Sequence, residues 1–177
     1  MKYTITEEFI VVSDKKLFRI KRVSDGLLGG YIEFERNLSQ EGDCFVYDNA
    51  KVCGDARVLG NAWVYGDARV SGNASVSGNA RVYHDVWVFG DAWVFGNATV
   101  SGNAIVSGDA RVSGNARVYG NAIVYGNAIV SGDARVYGGA RVYGGASVYG
   151  DAWVQTRHII GRYVGEKKVY KKRVIMD

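Results

Sequence analysis

The chain has 177 residues, of which 24 are glycine and none is proline, and its formal net charge is +4. Glycine without proline argues against a disordered linker and favours glycine at defined backbone positions. No apolar run approaches the roughly 18 residues of a membrane span, and the acidic residues in the opening MKYTITEEFIVV argue against an export signal there.

The first 45 residues are predicted to form a small β domain that caps the remainder of the chain. Two apolar-rich stretches, YTITEEFIVV and KLFRIKRV, flank Ser13 and Asp14. This pattern predicts a β-hairpin over residues 3–23. A less regular segment, residues 29–52, then leads into a strongly periodic region.

Residues 46–154 form an array with a period of six. Valine occupies every sixth position from Val46 to Val154, nineteen times without exception. Four residues after each valine comes alanine in seventeen of eighteen cases, and two residues after it comes glycine in sixteen of eighteen. The next position is Asn nine times, Asp seven times and Gly twice. Such self-similarity is typical of a solenoid.

Each hexad predicts one short strand, A-x-V-x, followed by a two-residue corner, G-(N/D). Alternation places Ala and Val on the inner face and the two x residues on the outer face. The corner needs a conformation that Gly adopts most readily and Asn or Asp next. The eighteen hexads therefore predict an all-β fold, a parallel β-helix of about six coils. Corner residues Asn61, Asn79, Asn97 and Asn115 are expected to form a hydrogen-bonded ladder.

Residues 155–177 are predicted to be a basic β cap. They hold seven Lys or Arg against two Asp or Glu, and residues 157–176 indicate a second strand pair around Gly165 and Glu166. The segment EKKVYKKRV alternates basic and apolar residues. A solvated edge strand explains it, and a phosphate contact is the alternative.

The six-residue array resembles the hexapeptide-repeat superfamily, whose members fold as left-handed β-helices with three hexads per triangular coil. The handedness is implied by this resemblance alone. The junction GGYIEFERNLSQEGDCFVYDNAKV, residues 29–52, is similar to that of the YdcK-type proteins, in which a small β domain leads into the helix. The architecture also looks similar to accessory proteins that bacteria and their phages carry.

Outward residues eighteen apart are expected to stack into columns on three faces. The first face should carry an apolar strip that nothing inside one chain can cover, since the array has no inserted loops, and such strips indicate a partner. The neighbouring second face adds two aromatic residues, and the third face alternates Arg and Tyr, which suit phosphates or an acidic protein surface. The predicted partner-binding residues are Trp87, Phe89, Ile105, Ile123 and Tyr125 of the first face, Trp93 and Phe95 of the second, and Arg81, Arg117, Tyr119, Arg135 and Tyr137 of the third.

A catalytic alternative rests on His84, which replaces a corner glycine and precedes Asp85. Hexapeptide-repeat acyltransferases use a histidine as general base on the hydroxyl or amine that accepts the acyl group from acyl-CoA, which implies that role for His84. No loop interrupts the array to build a pocket, so a tolerated corner substitution is the preferred interpretation. We expect no cofactor and no metal, and the cysteines, Cys44 and Cys53, predict free thiols in a cytoplasmic protein rather than a disulfide scaffold.

The sequence therefore favours a non-catalytic binding protein. Its partner could be a second copy of the chain, in a dimer or trimer, or a foreign protein or nucleoprotein. Nucleic acid could be contacted through the Arg/Tyr face and the basic tail. A phage-encoded inhibitor of a host enzyme or defence complex is a concrete form of this hypothesis, and a structural homo-oligomerisation module is the remaining alternative.

Overall fold

The computed structural model describes residues 1–155, 158–161, 165, 169–170 and 174–175. Over these residues every strand belongs to one of three sheets, and the only helical element is a 3-10 turn, η1, at Glu35–Asn37. The strands are β1 (Tyr3–Val12), β2 (Lys15–Arg22), β3 (Leu28–Ile32), β4 (Phe45–Val46), β5 (Lys51–Val52), β6 (Arg57–Val58), β7 (Trp63–Tyr65), β8 (Arg69–Val70), β9 (Ser75–Val76), β10 (Arg81–Tyr83), β11 (Trp87–Val88), β12 (Trp93–Val94), β13 (Thr99–Val100), β14 (Ile105–Val106), β15 (Arg111–Val112), β16 (Arg117–Val118), β17 (Ile123–Val124), β18 (Ile129–Val130), β19 (Arg135–Tyr137), β20 (Arg141–Tyr143), β21 (Ser147–Val148), β22 (Trp153–Gln155), β23 (His158–Ile160), β24 (Val169–Tyr170) and β25 (Val174–Ile175).

The array winds into a parallel β-solenoid of about seven turns, close to the six coils predicted. Every third strand pairs in parallel with the strand eighteen residues later, as β10 does with β13 and β13 with β16. The first face is the sheet that runs from β5 through β11 to β23 and β25, the second runs from β6 to β21, and the third runs from β4 to β24. The three predicted faces therefore correspond to the three sheets of the structure.

The interior is a column of small aliphatic side chains. Each array valine from Val46 to Val154 and each alanine at the fourth position is fully buried. Val86, the one departure from alanine, is buried as completely as its neighbours. Burial of the apolar surface of these repeated residues is the main term that stabilises the solenoid.

The corners follow the left-handed backbone that the G-(N/D) pattern predicts. The glycines there have φ values near +70°, for instance +66° at Gly114. Asp48 and His84, which replace glycine, adopt the same conformation, with φ values of +54° and +66°. This conformation strains a residue that carries a Cβ atom, so glycine dominates the position.

The predicted asparagine ladder is present on one edge of the prism. Asn61 donates to Asn79 at 3.1 Å, Asn79 to Asn97 at 3.0 Å, and Asn97 to Asn115 at 3.1 Å. The ladder continues from Asn115 to Asp133 at 3.0 Å. Each side-chain amide thus donates a hydrogen bond to the corner residue of the next coil, and these bonds stabilise the register between coils.

The N-terminal hairpin is confirmed and is continuous with the first face. Strands β1 and β2 pair antiparallel around Ser13 and Asp14, whose positive φ values of +48° and +64° are those of a tight hairpin turn. Strand β3 pairs antiparallel with β2 and in parallel with β5. The hairpin therefore occupies the edge that the first face would otherwise expose.

The junction segment fastens this hairpin to the first coil. The buried Asn37 side chain donates to the carbonyl oxygens of Gly54 at 2.9 Å and Ala56 at 2.8 Å. Gln40 accepts from the Lys2 backbone N–H at 2.7 Å and donates to the Tyr3 carbonyl at 3.1 Å. The residues that carried the resemblance are thus structural clamps between the cap and the solenoid.

The strand pair predicted over residues 157–176 has a different form in the described part of that segment, where the strands are parallel and not antiparallel as in a hairpin. Strand β23 pairs in parallel with β20, β24 with β22, and β25 with β23. These strands continue the solenoid because they extend the unpaired edges that the last hexads leave. No helix in the described residues is long and apolar enough to cross a membrane.

Candidate binding surfaces

Four aromatic side chains of one coil form what we call the aromatic ridge: Trp87, Phe89, Trp93 and Phe95. Trp87 and Phe89 project from the first face, and Trp93 and Phe95 project from the second, on the other side of the corner between β11 and β12. Their exposed fractions are 47%, 38%, 51% and 36%. The sequence assigned Trp87 and Phe89 to the first face and Trp93 and Phe95 to the second, and the structure places all four around a single corner.

Arginines from adjacent coils flank the ridge. The guanidinium carbon of Arg69 lies 5.1 Å from the ring centre of Trp87, and that of Arg111 lies 5.6 Å from that of Trp93. Such cation–π contacts hold both indoles in fixed positions. The ridge is therefore a rigid apolar surface with positive charge at its margins.

The N-terminal hairpin borders the ridge on the first face. Val12, Ser13 and Leu17 line a groove of about 310 Å³ together with Trp87 and Phe89. The hairpin forms one wall beside the apolar strip, which the sequence predicted to be uncovered by any part of the chain. Trp87 and Phe89 nevertheless keep their outer surfaces exposed.

The remainder of the predicted apolar strip is less prominent. Ile105 and Ile123 stack directly above Trp87 in the first sheet and are half-buried. Tyr125 is 36% exposed and stacks on Tyr143, with ring centres 4.9 Å apart. The apolar surface therefore decreases along the first face away from the ridge.

Burial perturbs two polar side chains at the base of the hairpin groove. It raises the pKa of the Cys53 thiol, and it lowers the pKa of the Lys51 ammonium, which the neighbouring Arg69 lowers further. Both shifts favour the neutral form of the side chain.

The third face is the predicted ladder of Arg and Tyr. Tyr65 stacks on Tyr83 with ring centres 4.7 Å apart and an interplanar angle of 6°. Tyr119 stacks on Tyr137 at 5.1 Å and 7°. Burial is the main cause that raises the pKa of Tyr119, so this phenol stays protonated at neutral pH.

The Arg column lies beside these tyrosine pairs. Arg81 lies over Trp63 at 5.4 Å, and Arg135 over Trp153 at 4.7 Å. Arg81, Arg117 and Arg135 form no ion pair within the described residues. The predicted third-face residues thus lie on one face that is rich in hydrogen-bond donors.

His84 lies at the corner that follows β10, next to this face. Its ring packs edge-on against Tyr83, with ring centres 4.7 Å apart. Within the described part of the chain it forms no hydrogen bond with Asp85, so the carboxylate that a general base would need for orientation is not in place there. The ring is held by an aromatic contact instead.

Two further expectations concern metal and the basic tail. Across the described residues, no group of three or more His, Cys, Asp or Glu side chains is placed to hold a metal ion. The segment EKKVYKKRV, residues 166–174, falls outside the described residues except for the backbone of Val169, Tyr170 and Val174. A phosphate contact through this tail stays a prediction.

Comparison with known proteins agrees with the repeat architecture. The sequence model of the YdcK β-solenoid repeat matches segments that together cover most of residues 50–150, which is more than half of the chain. The chain belongs to the YdcK β-solenoid repeat family. No curated protein matches it significantly. The nine matches, several of which overlap, are 50–66, 62–77, 74–90, 92–108, 110–126, 116–132, 124–138, 130–144 and 134–150.

Sequence reasoning missed the contribution of the hairpin to the binding surface. Val12 and Leu17 line the groove beside Trp87, although about seventy residues separate them along the chain. No periodic signal connects a hairpin tip to a particular coil. The only indication of the position of the hairpin was that it must cap the edge of one face.

Proposed function

We propose that this member of the YdcK β-solenoid repeat family is a non-catalytic binding protein that engages a protein partner through the aromatic ridge. The observation that supports this most is the exposure of four large aromatic side chains on one coil of a regular solenoid. Exposed apolar clusters of this kind mark interaction sites. Tryptophan is also strongly enriched among the residues that dominate binding energy.

The rigidity of the ridge favours tight association. Its side chains project from strands whose backbones are hydrogen-bonded to the coils on either side, for instance Trp87 N–H to Ala104 O at 3.0 Å and Trp93 N–H to Ala110 O at 2.9 Å. A surface that is already ordered loses little conformational entropy on binding. The flanking Arg69 and Arg111 favour a partner with acidic residues around an apolar groove.

The shape of the ridge favours a foreign partner over a second copy. Trp87 and Phe89 lie on one side of a corner, and Trp93 and Phe95 lie on the other, so the ridge is convex. Two copies that pack through their flat first faces would cover Trp87 and leave Trp93 in solvent. A partner with a concave apolar site would cover both.

The finer form of the hypothesis, a phage-encoded inhibitor of a host enzyme or defence complex, is one way in which such a ridge would act. In this form the ridge enters a groove of the target protein and blocks that groove without any chemical reaction. Homo-oligomerisation through the first face is the competing function. Partner capture combined with a measurement of mass separates the two.

The test uses the double variant Trp87→Ala/Trp93→Ala with Trp153→Ala as the matched control. Trp153 is 39% exposed and carries a similar arginine contact, but it lies on the third face. A partner is captured from the native host with the full chain, purified, and titrated with each variant, while light scattering gives the mass of the free protein.

We expect a monomeric protein whose affinity for the purified partner falls at least tenfold in the double variant and stays within twofold in Trp153→Ala. Circular dichroism should show unchanged folding, because all three side chains are outside the core. A stable trimer that shields Trp87, or a partner that binds both variants equally, would contradict the proposal.

A further inference from the structure

The tyrosine column of the third face is interrupted by one small residue. The column reads Tyr65, Tyr83, Ser101, Tyr119 and Tyr137. The tyrosines on each side form stacked pairs, and Ser101 separates the two pairs. The same coil also carries Thr99, where the coils above and below carry arginine, so one coil of this face is recessed. We call this recess the third-face slot.

The height of the slot suits one planar group. Adjacent coils are about 4.8 Å apart, so the rings of Tyr83 and Tyr119 are separated by two such steps. An inserted ring would lie about 4.8 Å from each, which matches the 4.7 Å and 5.1 Å centre-to-centre distances of the existing pairs. An inserted ring would complete one continuous aromatic stack.

The walls of the slot are positively charged. Arg81, Arg117 and Arg135 line it together with Tyr83, Tyr119 and Ser101, and no acidic side chain of the described residues does. The arginine and tyrosine positions are two residues apart on each strand, which corresponds to about 6.6 Å. Guanidinium groups at that distance from a stacked ring can reach an anion attached to it. The slot has a volume of about 430 Å³, within the usual range for small-molecule sites.

We propose that the third-face slot binds a nucleotide, with its base stacked between Tyr83 and Tyr119 and its phosphate held by Arg117 and Arg81. A nucleotide has both of the groups that the slot can bind, a planar ring and a nearby anion. Base–tyrosine stacking and arginine–phosphate pairing are the common means by which proteins hold single nucleotide units. The site lies apart from the aromatic ridge and does not depend on its function.

A nucleotide fits better than a phosphotyrosine peptide, which has the same two features. A peptide that adds to a sheet gains its affinity from main-chain hydrogen bonds with a free strand edge. The strand at the slot has no free edge, because Thr99 N–H donates to Ala116 O and Ser101 N–H donates to Val118 O, each at 2.9 Å. The face therefore offers no main-chain partners to a peptide.

The decisive variant is Ser101→Tyr, which completes the tyrosine column and fills the slot. Four of its neighbours in the column are already tyrosine, so the variant should fold normally. Ser131→Tyr makes the same change at the equivalent hexad position of the second face and is the matched control. Arg117→Gln removes a charge from the slot and keeps a similar side-chain length.

Calorimetric titration of the full chain with AMP, adenosine, inorganic phosphate, a phosphotyrosine peptide and a six-residue oligoadenylate tests the site. We expect AMP or the oligoadenylate to bind at least tenfold more tightly than adenosine, phosphate or the peptide. Tighter binding of the oligoadenylate would identify a nucleic-acid strand as the source of the nucleotide, and equal or tighter binding of AMP would identify a free nucleotide.

Binding should be lost in Ser101→Tyr, fall at least fivefold in Arg117→Gln and stay unchanged in Ser131→Tyr. The proposal is overturned if neither AMP nor the oligoadenylate binds at millimolar concentration. It is also overturned if Ser101→Tyr binds as the parent does, or if phosphate or the peptide binds as tightly as the nucleotides. Loss of partner binding through the ridge would leave these results unaffected.

Discussion

The corner glycines should respond to substitution according to their backbone conformation rather than their exposure. Gly114 lies in the middle of the array with a φ of +66°, and a Cβ atom added there would lie 2.9 Å from the backbone nitrogen of Gly132. That neighbour cannot withdraw, because its carbonyl accepts a hydrogen bond from Asn115 N–H at 2.8 Å. Gly114→Ala therefore meets both an unfavourable conformation and a steric contact.

The expected loss of stability combines these two costs. The left-handed conformation costs an L-residue about 1–2 kcal/mol, and overpacking against a fixed neighbour costs about 1–3 kcal/mol. Alanine also lowers the conformational entropy of the unfolded chain, which offsets less than about 1 kcal/mol of this loss. We expect Gly114→Ala to lower the free energy of unfolding by about 1–5 kcal/mol.

Gly145→Ala is the control. Gly145 is also a corner residue, but its φ is not in the left-handed region and nothing lies within 4 Å of an added Cβ atom. Alanine there should raise the free energy of unfolding by about 0.4–1 kcal/mol. Both values are measured by denaturant titration followed by circular dichroism. Equal stability of the two variants would refute the reasoning.

Two further predictions concern His84 and the cysteines. His84→Gly should raise the free energy of unfolding by up to about 1 kcal/mol in the same titration, because it removes left-handed strain at φ +66°; a loss of stability would mean that the contact with Tyr83 outweighs the strain. Cys53 should be alkylated with a rate–pH midpoint above that of a free cysteine, since burial raises the pKa of its thiol. Cys44, which is fully buried, should react only in denaturant, and its rapid reaction in native buffer would contradict the described packing.

The candidate site was only partly predictable. The eighteen-residue spacing placed Trp87 above Arg69 and Tyr83 above Tyr65, and the structure confirms both neighbours. The ridge residues lie on the faces to which counting in steps of six assigns them. It did not find the third-face slot, because a serine in a column of tyrosines has no meaning until the ring spacing is known.

The amino-acid sequence by itself determined the solenoid, its three faces and which residues are buried or exposed. All of these arise from a six-residue period in which each hexad has the same strand and the same corner. Only the tertiary structure decided how the aperiodic ends join it. The hairpin came to lie beside Trp87, Asn37 fastened the cap to the first coil, and β23 continued the first sheet instead of turning back. These placements depend on packing between residues far apart in the chain, on which a local repeat carries no information.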